Sequence, residues 1–236
     1  MEKQRQVRIE IMDTTLRDGE QTSGVSFLPH EKLLIARMLL DEVKVDRVEV
    51  GSARVSEGEK DAVKMICRAA EEKGNINRVE VLGFVDGGVS LDWIKECGCK
   101  NINLLCKGSL KHCTDQLQKT PEEHIADIKK ELDYADKLGI SVNVYLEDWS
   151  NGIKDSPEYV YQMMDALVQT NVKRFMLPDT LGVMNPHLVE VYMGDMVRRY
   201  PDVHFDFHPH NDYDMAVGDA FEAVRMGVKG IHDTVN

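Results

Sequence analysis

The stretch Asp13-Thr14-Thr15-Leu16-Arg17-Asp18-Gly19-Glu20-Gln21 follows the alternating run Val7-Arg8-Ile9-Glu10-Ile11 and precedes a helical pattern that begins near Leu28. It therefore lies where a first strand ends and a loop begins. One interpretation is a metal-binding carboxylate beside a guanidinium that holds an anionic substrate. The other is a helix cap with a surface ion pair, which contributes little to stability.

Short apolar runs alternate with longer amphipathic ones along the rest of the chain. The pattern predicts strands at 7–12, 47–50, 79–85, 101–106, 141–146, 172–177, 203–207 and 230–235. It predicts helices at 30–43, 59–70, 91–97, 121–138, 157–170, 186–200 and 215–226. Helix caps are expected at Thr120, Ser156 and Asn185, and Gly139 is expected to end the fourth helix.

This strand–helix alternation with short connections predicts parallel strands, because parallel neighbours need a crossover helix. Eight strands over 236 residues match a (β/α)8 TIM barrel. A doubly wound sheet is the alternative, but it normally has a glycine-rich loop after the first strand, where this chain has residues 13–18. We expect residues 1–236 to form one catalytic barrel, truncated at its C-terminus, with its last helix missing.

Composition excludes several classes of function. Lys plus Arg is 29 and Asp plus Glu is 41, a net charge of −12. An acidic chain is a poor nucleic-acid binder, although it can bind a small anion where basic side chains are concentrated. The first eight residues are polar, which argues against a signal peptide, and no apolar run is long enough to span a bilayer.

The cysteines indicate a reduced, cytoplasmic compartment. There are five of them, an odd number, and none forms a Cys-x-x-Cys pair. We therefore expect free thiols rather than disulfides or a cysteine zinc site. Nothing in the sequence marks a catalytic cysteine.

His208 and His210 are the clearest candidate site residues. A spacing of two on a strand directs both imidazoles to the same side. Pro209 lies between them and cannot donate to the ladder, so regular pairing should end there. With Asp18 they would offer two nitrogen ligands and one oxygen ligand to a divalent ion, leaving room for water or substrate. The alternative is that the histidines are merely packed or solvated.

Other strand ends carry further candidates. Glu147 could be a general base, an outer carboxylate near a metal, or a structural acid. Thr180 could offer its hydroxyl to a substrate carboxylate or simply occupy a turn. We expect no functional role for His112 or His187, and the role of His232 on the last strand stays open.

Two motifs together resemble a known family. Residues 13–21 and the run His208-Pro209-His210-Asn211-Asp212 resemble the acetyl-CoA-dependent 2-oxo acid synthases, which include the 2-isopropylmalate, citramalate and homocitrate synthases. The resemblance extends over essentially the whole chain. The segments 145–152 and 177–182 are most similar to the citramalate synthase branch.

The resemblance implies a TIM barrel that condenses acetyl-CoA with a 2-oxo acid in leucine or isoleucine biosynthesis, using Mn²⁺, Mg²⁺ or Zn²⁺. It implies metal ligands at Asp18, His208 and His210 and catalytic roles for Arg17 and Glu147. It also implies that Thr180 contacts the substrate carboxylate. The pocket for the substrate side chain would be lined by Leu82, Leu105 and Tyr145. These side chains are bulky, which favours pyruvate over 2-oxoisovalerate.

Two departures from the family pattern affect these expectations. Members of the family continue past residue 236 into a segment that supplies a further metal ligand. A catalytic subdomain and a regulatory domain follow it, and these downstream regions form a homodimer. Tyr213-Asp214 also replaces the usual Leu-Gly. The alternatives are therefore an acyl-CoA lyase of the same superfamily, against which Asn211-Asp212 argues, and an inactive metal-binding fragment.

Overall fold

The computed structural model describes residues 8–235, so Val7 of the expected first strand lies outside the described residues. Eight parallel strands pair in chain order, and the eighth pairs with the first to close a barrel. They are β1 (Glu10–Asp13), β2 (Arg47–Ser52), β3 (Val79–Phe84), β4 (Asn101–Lys107), β5 (Ser141–Glu147), β6 (Phe175–Asp179), β7 (Phe205–Pro209) and β8 (Gly230–Asp233). The predicted TIM barrel is confirmed.

Helices connect the strands on the outside of the barrel. They are α1 (Pro29–Arg37), α2 (Glu57–Glu72), α3 (Val89–Glu96), α4 (Pro121–Leu138), α5 (Trp149–Asp155), α6 (Pro157–Leu167), α7 (Pro186–Arg199) and α8 (Ala216–Met226). Among residues 8–235 no helix is both long and apolar enough to cross a membrane.

The sequence signals for α4 act as expected. The Thr120 hydroxyl accepts a hydrogen bond from the Glu123 backbone N–H, and the Glu123 carboxylate accepts one from the Thr120 N–H. This reciprocal capping satisfies two N–H groups that a helix start leaves without partners. Gly139 ends the helix at φ 69°, a left-handed conformation that glycine adopts without strain.

Several predicted boundaries are wrong. The helix predicted at 30–43 is present, although it changes from an α-helix to a π-helix at Met38, whereas α5 was not predicted. The strands predicted at 172–177 and 203–207 lie about two residues later. Pro178 and Asp179 belong to β6 because they pair with His208 and Pro209 of β7, a long-range contact that local periodicity does not contain.

Alternation along the strands divides the buried side chains into two sets. Val48 and Val50 of β2 point outward into the large apolar core beneath the helices. Arg47 and Glu49 point inward, where Arg47 contacts Glu80 and Glu49 contacts Asn103. The barrel interior is therefore strongly polar, and it lies directly beneath the carboxyl ends of the strands.

Candidate active site

A cavity of about 310 Å³ opens at the carboxyl ends of the strands, where TIM barrels place their active sites. All nine side chains predicted as site residues line it. They are Arg17, Asp18, Leu82, Leu105, Tyr145, Glu147, Thr180, His208 and His210. Gln21 and Pro178 also line the cavity and were not predicted as site residues, although both lie within motifs that the sequence analysis quotes.

Asp18, His208 and His210 form a compact group of potential ligands. One donor atom from each lies within 4.8 Å of the others. The two Nε2 atoms are 3.2 Å apart, and His208 Nε2 is 3.7 Å from Asp18 Oδ2. Two imidazoles and one carboxylate on one side of an open cavity fit a divalent cation that keeps coordination positions free for a ligand.

The environment keeps His208 neutral, which is the form that binds a metal. Burial lowers the pKa of His208 well below its usual range, and the nearby His232, Arg17 and His210 lower it further. The neutral ring carries a single proton, and its Nε2 can act as a ligand when that proton lies on Nδ1.

Arg17 places a fixed positive charge beside this group. Its Nε donates to Glu49 Oε2 at 2.5 Å, its Nη1 to Asp18 Oδ1 at 2.8 Å, and its Nη2 to the Tyr145 hydroxyl at 3.4 Å. Burial disfavours the charged form, but Glu49, Tyr145 and Asp18 outweigh that effect and raise the pKa of Arg17. The guanidinium is therefore held rigidly and stays charged.

Glu147 ends β5 and Thr180 follows β6, so both lie at the same end of the barrel as Arg17. The Glu147 carboxylate pairs with Lys107, which stands opposite it in the ladder between β4 and β5. The Thr180 hydroxyl accepts a hydrogen bond from the backbone N–H of Asp148 at 3.0 Å. Its own hydrogen is therefore available to a ligand.

The apolar wall comes from Leu82, Leu105 and Tyr145. Leu82 and Tyr145 pack with Met12 and Met176 in a small buried cluster of their own, and Leu105 is packed against it. These three side chains, from β3, β4 and β5, form the apolar part of the cavity wall, and the charged Glu147 lies at the end of β5.

A layer of polar residues that was not predicted lies beneath the cavity. Glu49 is completely buried and accepts a hydrogen bond from Asn103 at 2.7 Å as well as from Arg17. His232, whose role had stayed open, lies 3.0 Å from the Tyr145 hydroxyl and 3.1 Å from His208 Nδ1. A usable signal exists for Glu49, since Arg47-Val48-Glu49-Val50 alternates charges with valines in a strand predicted to lie in the barrel.

The remaining titratable candidates lie elsewhere. His187 is exposed and lies near Glu190 on α7. His112 lies 3.5 Å from the carboxylate of Asp148 and does not line the cavity. The expectation of free thiols is confirmed, because all five cysteines are unpaired and buried.

A polar cavity at the carboxyl ends of the strands of a closed parallel barrel is where TIM-barrel enzymes place their active sites. The chain belongs to the HMGL-like family, whose model matches residues 8–236. This confirms the resemblance that the two motifs carry.

Curated relatives are 30–36% identical to this chain. An (R)-citramalate synthase from Methanocaldococcus jannaschii is 33% identical over 97% of this chain and 44% of its own length. A 2-isopropylmalate synthase from the same organism is 33% identical over 97% of this chain and 42% of its own length. The chain thus spans less than half the length of these two relatives.

Among solved structures, the HMG-CoA lyase of Bacillus subtilis superposes with a TM-score of 0.79 at 22% identity. The match covers 97% of this chain and 77% of the lyase. At this identity the likeness concerns the fold, and it agrees with the closed eight-stranded barrel described above.

Proposed function

We propose that this protein is an acyltransferase that condenses acetyl-CoA with a small 2-oxo acid. The observation that carries the proposal is the juxtaposition in one cavity of a two-histidine, one-carboxylate group, the charged Arg17 and the separate carboxylate of Glu147. Relatives named as citramalate and 2-isopropylmalate synthases support the same reaction class.

Asp18, His208 and His210 would hold the divalent ion, which when bound polarises the ketone of the 2-oxo acid. Arg17 lies next to Asp18 and stabilises the negative charge that develops on the ketone oxygen. The hydroxyl hydrogen of Thr180 is available to the substrate carboxylate. These three contacts orient the 2-oxo acid with its side chain toward Leu82, Leu105 and Tyr145.

The condensation also requires removal of a proton from the methyl group of acetyl-CoA. Glu147 lines the cavity, does not bind Arg17 and does not belong to the group of potential metal ligands. We therefore assign it a position facing that methyl group. A second cavity of about 450 Å³ shares Arg17 and Gln21 with the first. We assign this neighbouring cavity to part of the long acyl-CoA chain.

The bulky side chains of the apolar wall favour pyruvate, whose product would be citramalate, over the larger 2-oxoisovalerate. Discrimination by pocket volume amounts to about 1–3 kcal/mol per methylene. On this assignment the enzyme contributes to the biosynthesis of branched-chain amino acids.

The test is CoA release from acetyl-CoA by protein expressed from its complete reading frame. Mn²⁺ or Mg²⁺ is added with pyruvate, 2-oxoisovalerate, 2-oxoglutarate or oxaloacetate in separate reactions. We expect release with pyruvate and loss of that release in Arg17→Ala, since the oxyanion then lacks its guanidinium. Cleavage of a 3-hydroxyacyl-CoA without condensation would instead identify a lyase.

A further inference from the structure

A chain of buried polar groups leads from the cavity into the barrel interior. His208 Nδ1 lies 3.1 Å from Nδ1 of His232, and His232 Nε2 lies 3.2 Å from Asp206 Oδ2. The same carboxylate oxygen accepts a hydrogen bond from Arg47. Asp206 is completely buried and His232 is 4% exposed, so water cannot replace these contacts.

The hydrogen-bonding capacity of these groups fixes where the protons lie. A carboxylate bonded to a guanidinium accepts hydrogen bonds only, so the proton of neutral His232 lies on Nε2, facing Asp206. Nδ1 of His232 is then an acceptor with one lone pair. Two donors compete for it, because the Tyr145 hydroxyl is 3.0 Å away and His208 Nδ1 is 3.1 Å away.

Binding of a cation by His208 decides this competition. His208 Nε2 faces Asp18 and His210, so its lone pair must be free if the three residues share an ion. The proton of His208 must then lie on Nδ1. This N–H can donate to Nδ1 of His232, which is the ring nitrogen within hydrogen-bond distance. The Tyr145 hydroxyl can meanwhile accept from Arg17 and turn its own hydrogen into the cavity.

We propose that His232, anchored by Asp206, is a positioning residue that fixes the metal-binding tautomer of His208 and thereby releases the hydroxyl hydrogen of Tyr145 to the substrate. The inference rests on the proposed metal site. His232 does not line the cavity, so it would affect the substrate only by way of His208 and Tyr145.

Packing alone is the competing explanation for His232. Its ring makes edge-on contacts with Tyr145 and His208, with centroids 5.6 and 5.3 Å apart. A side chain that only fills space can be replaced by leucine without loss of cation affinity. If His232 fixes the tautomer of His208, replacement by leucine should lower cation affinity. Replacement by asparagine should preserve it, because the amide oxygen can accept the hydrogen bond in place of Nδ1.

The first experiment measures Mn²⁺ binding by titration calorimetry on the wild-type protein, His232→Leu, His232→Asn and His204→Leu. His204 is the matched control, because its Nε2 lies 2.9 Å from the other oxygen of Asp206 and it is not among the partners of His208. We expect His232→Leu to weaken Mn²⁺ binding about 10–100-fold, as for other residues that orient metal ligands. His232→Asn and His204→Leu should retain most of the wild-type affinity.

The second experiment reads the tautomers directly and needs no core substitution. Long-range ¹H–¹⁵N correlation spectra of Mg²⁺-loaded, ¹⁵N-histidine-labelled wild-type protein should show His232 protonated on Nε2 alone. A proton on its Nδ1, or equal Mn²⁺ affinity in His232→Leu, would overturn the inference while leaving the metal site intact. Failure of the wild-type protein to bind Mn²⁺ or Mg²⁺ would instead remove the metal site itself.

Discussion

In the proposed function, Leu82 limits the size of the 2-oxo acid. It is 5% exposed, lines the cavity and packs with Met12, Tyr145 and Met176. We expect Leu82→Ala to raise kcat/KM for 2-oxobutanoate relative to pyruvate by about 10–200-fold, the range for one added methylene. Steady-state kinetics with the two acids measures this ratio.

The control for this prediction is Leu132→Ala on α4, since Leu132 is equally buried but belongs to the core outside the barrel. Both substitutions should lower the free energy of unfolding by about 2–5 kcal/mol, and only Leu82→Ala should change the substrate ratio. If Leu82→Ala left the ratio of kcat/KM for the two acids unchanged, Leu82 would not determine substrate size.

At the scale of residues, the sequence predicted the side chains that belong to a local motif, but it did not predict contacts between side chains on distant strands. Asp18, His208 and His210 were found because spacing and strand ends mark them. His232 stayed open because a lone histidine on a strand looks the same with or without partners. Its contacts come from Tyr145 and Asp206, on β5 and β7, and only closure of the barrel brings them together.

At the scale of elements, α4 offers a direct test of the sequence signals. Thr120→Ala removes the hydroxyl that caps the Glu123 N–H and should lower the free energy of unfolding by about 0.5–2 kcal/mol. Thr120→Ser keeps the hydroxyl and should stay close to the wild-type protein. Urea denaturation of the three proteins measures the difference, and equal losses in both variants would contradict the capping role.

The elements that sequence patterns missed are governed by tertiary contacts. Helix α5 contains Gly152, where a Cβ atom would lie 2.0 Å from the carbonyl oxygen of Gly108. The helix therefore packs so closely against the backbone that follows β4 that only glycine fits at position 152. Ser156 occupies the predicted N-cap position of α6, directly before Pro157. Its side chain makes no cap hydrogen bond, because its hydroxyl donates to the Gly152 carbonyl oxygen.

At the scale of the whole molecule, a buried acid makes stability depend on pH. Burial and the nearby Asp179 raise the pKa of Asp219 to about 6 from 3.8. Between these values the unfolded chain loses its proton while the folded chain keeps it, so stability falls as pH rises from about 4 to 6. Asp219→Asn should therefore be more stable than the wild-type protein above pH 6 and close to it near pH 4.

Thermal unfolding of Asp219→Asn across this pH range measures the gain, with Asp202→Asn at an exposed position as the control. A gain that is the same at pH 4 and pH 7 would show that the effect does not come from ionisation of Asp219.

A bound ion would also join parts of the barrel that are distant in sequence. Asp18 follows β1, whereas His208 and His210 belong to β7 and the loop after it, and β8 lies between these strands. An ion that binds only the folded protein stabilises it by about 2.7 kcal/mol at 100 times its Kd. For a domain of this size each kcal/mol raises Tm by about 2–4 °C.

We therefore expect saturating Mn²⁺ to raise Tm and EDTA to reverse the shift. His210→Ala should abolish it, while the exposed His187→Ala should retain it. A shift that survives in His210→Ala would place the stabilising ion elsewhere on the protein.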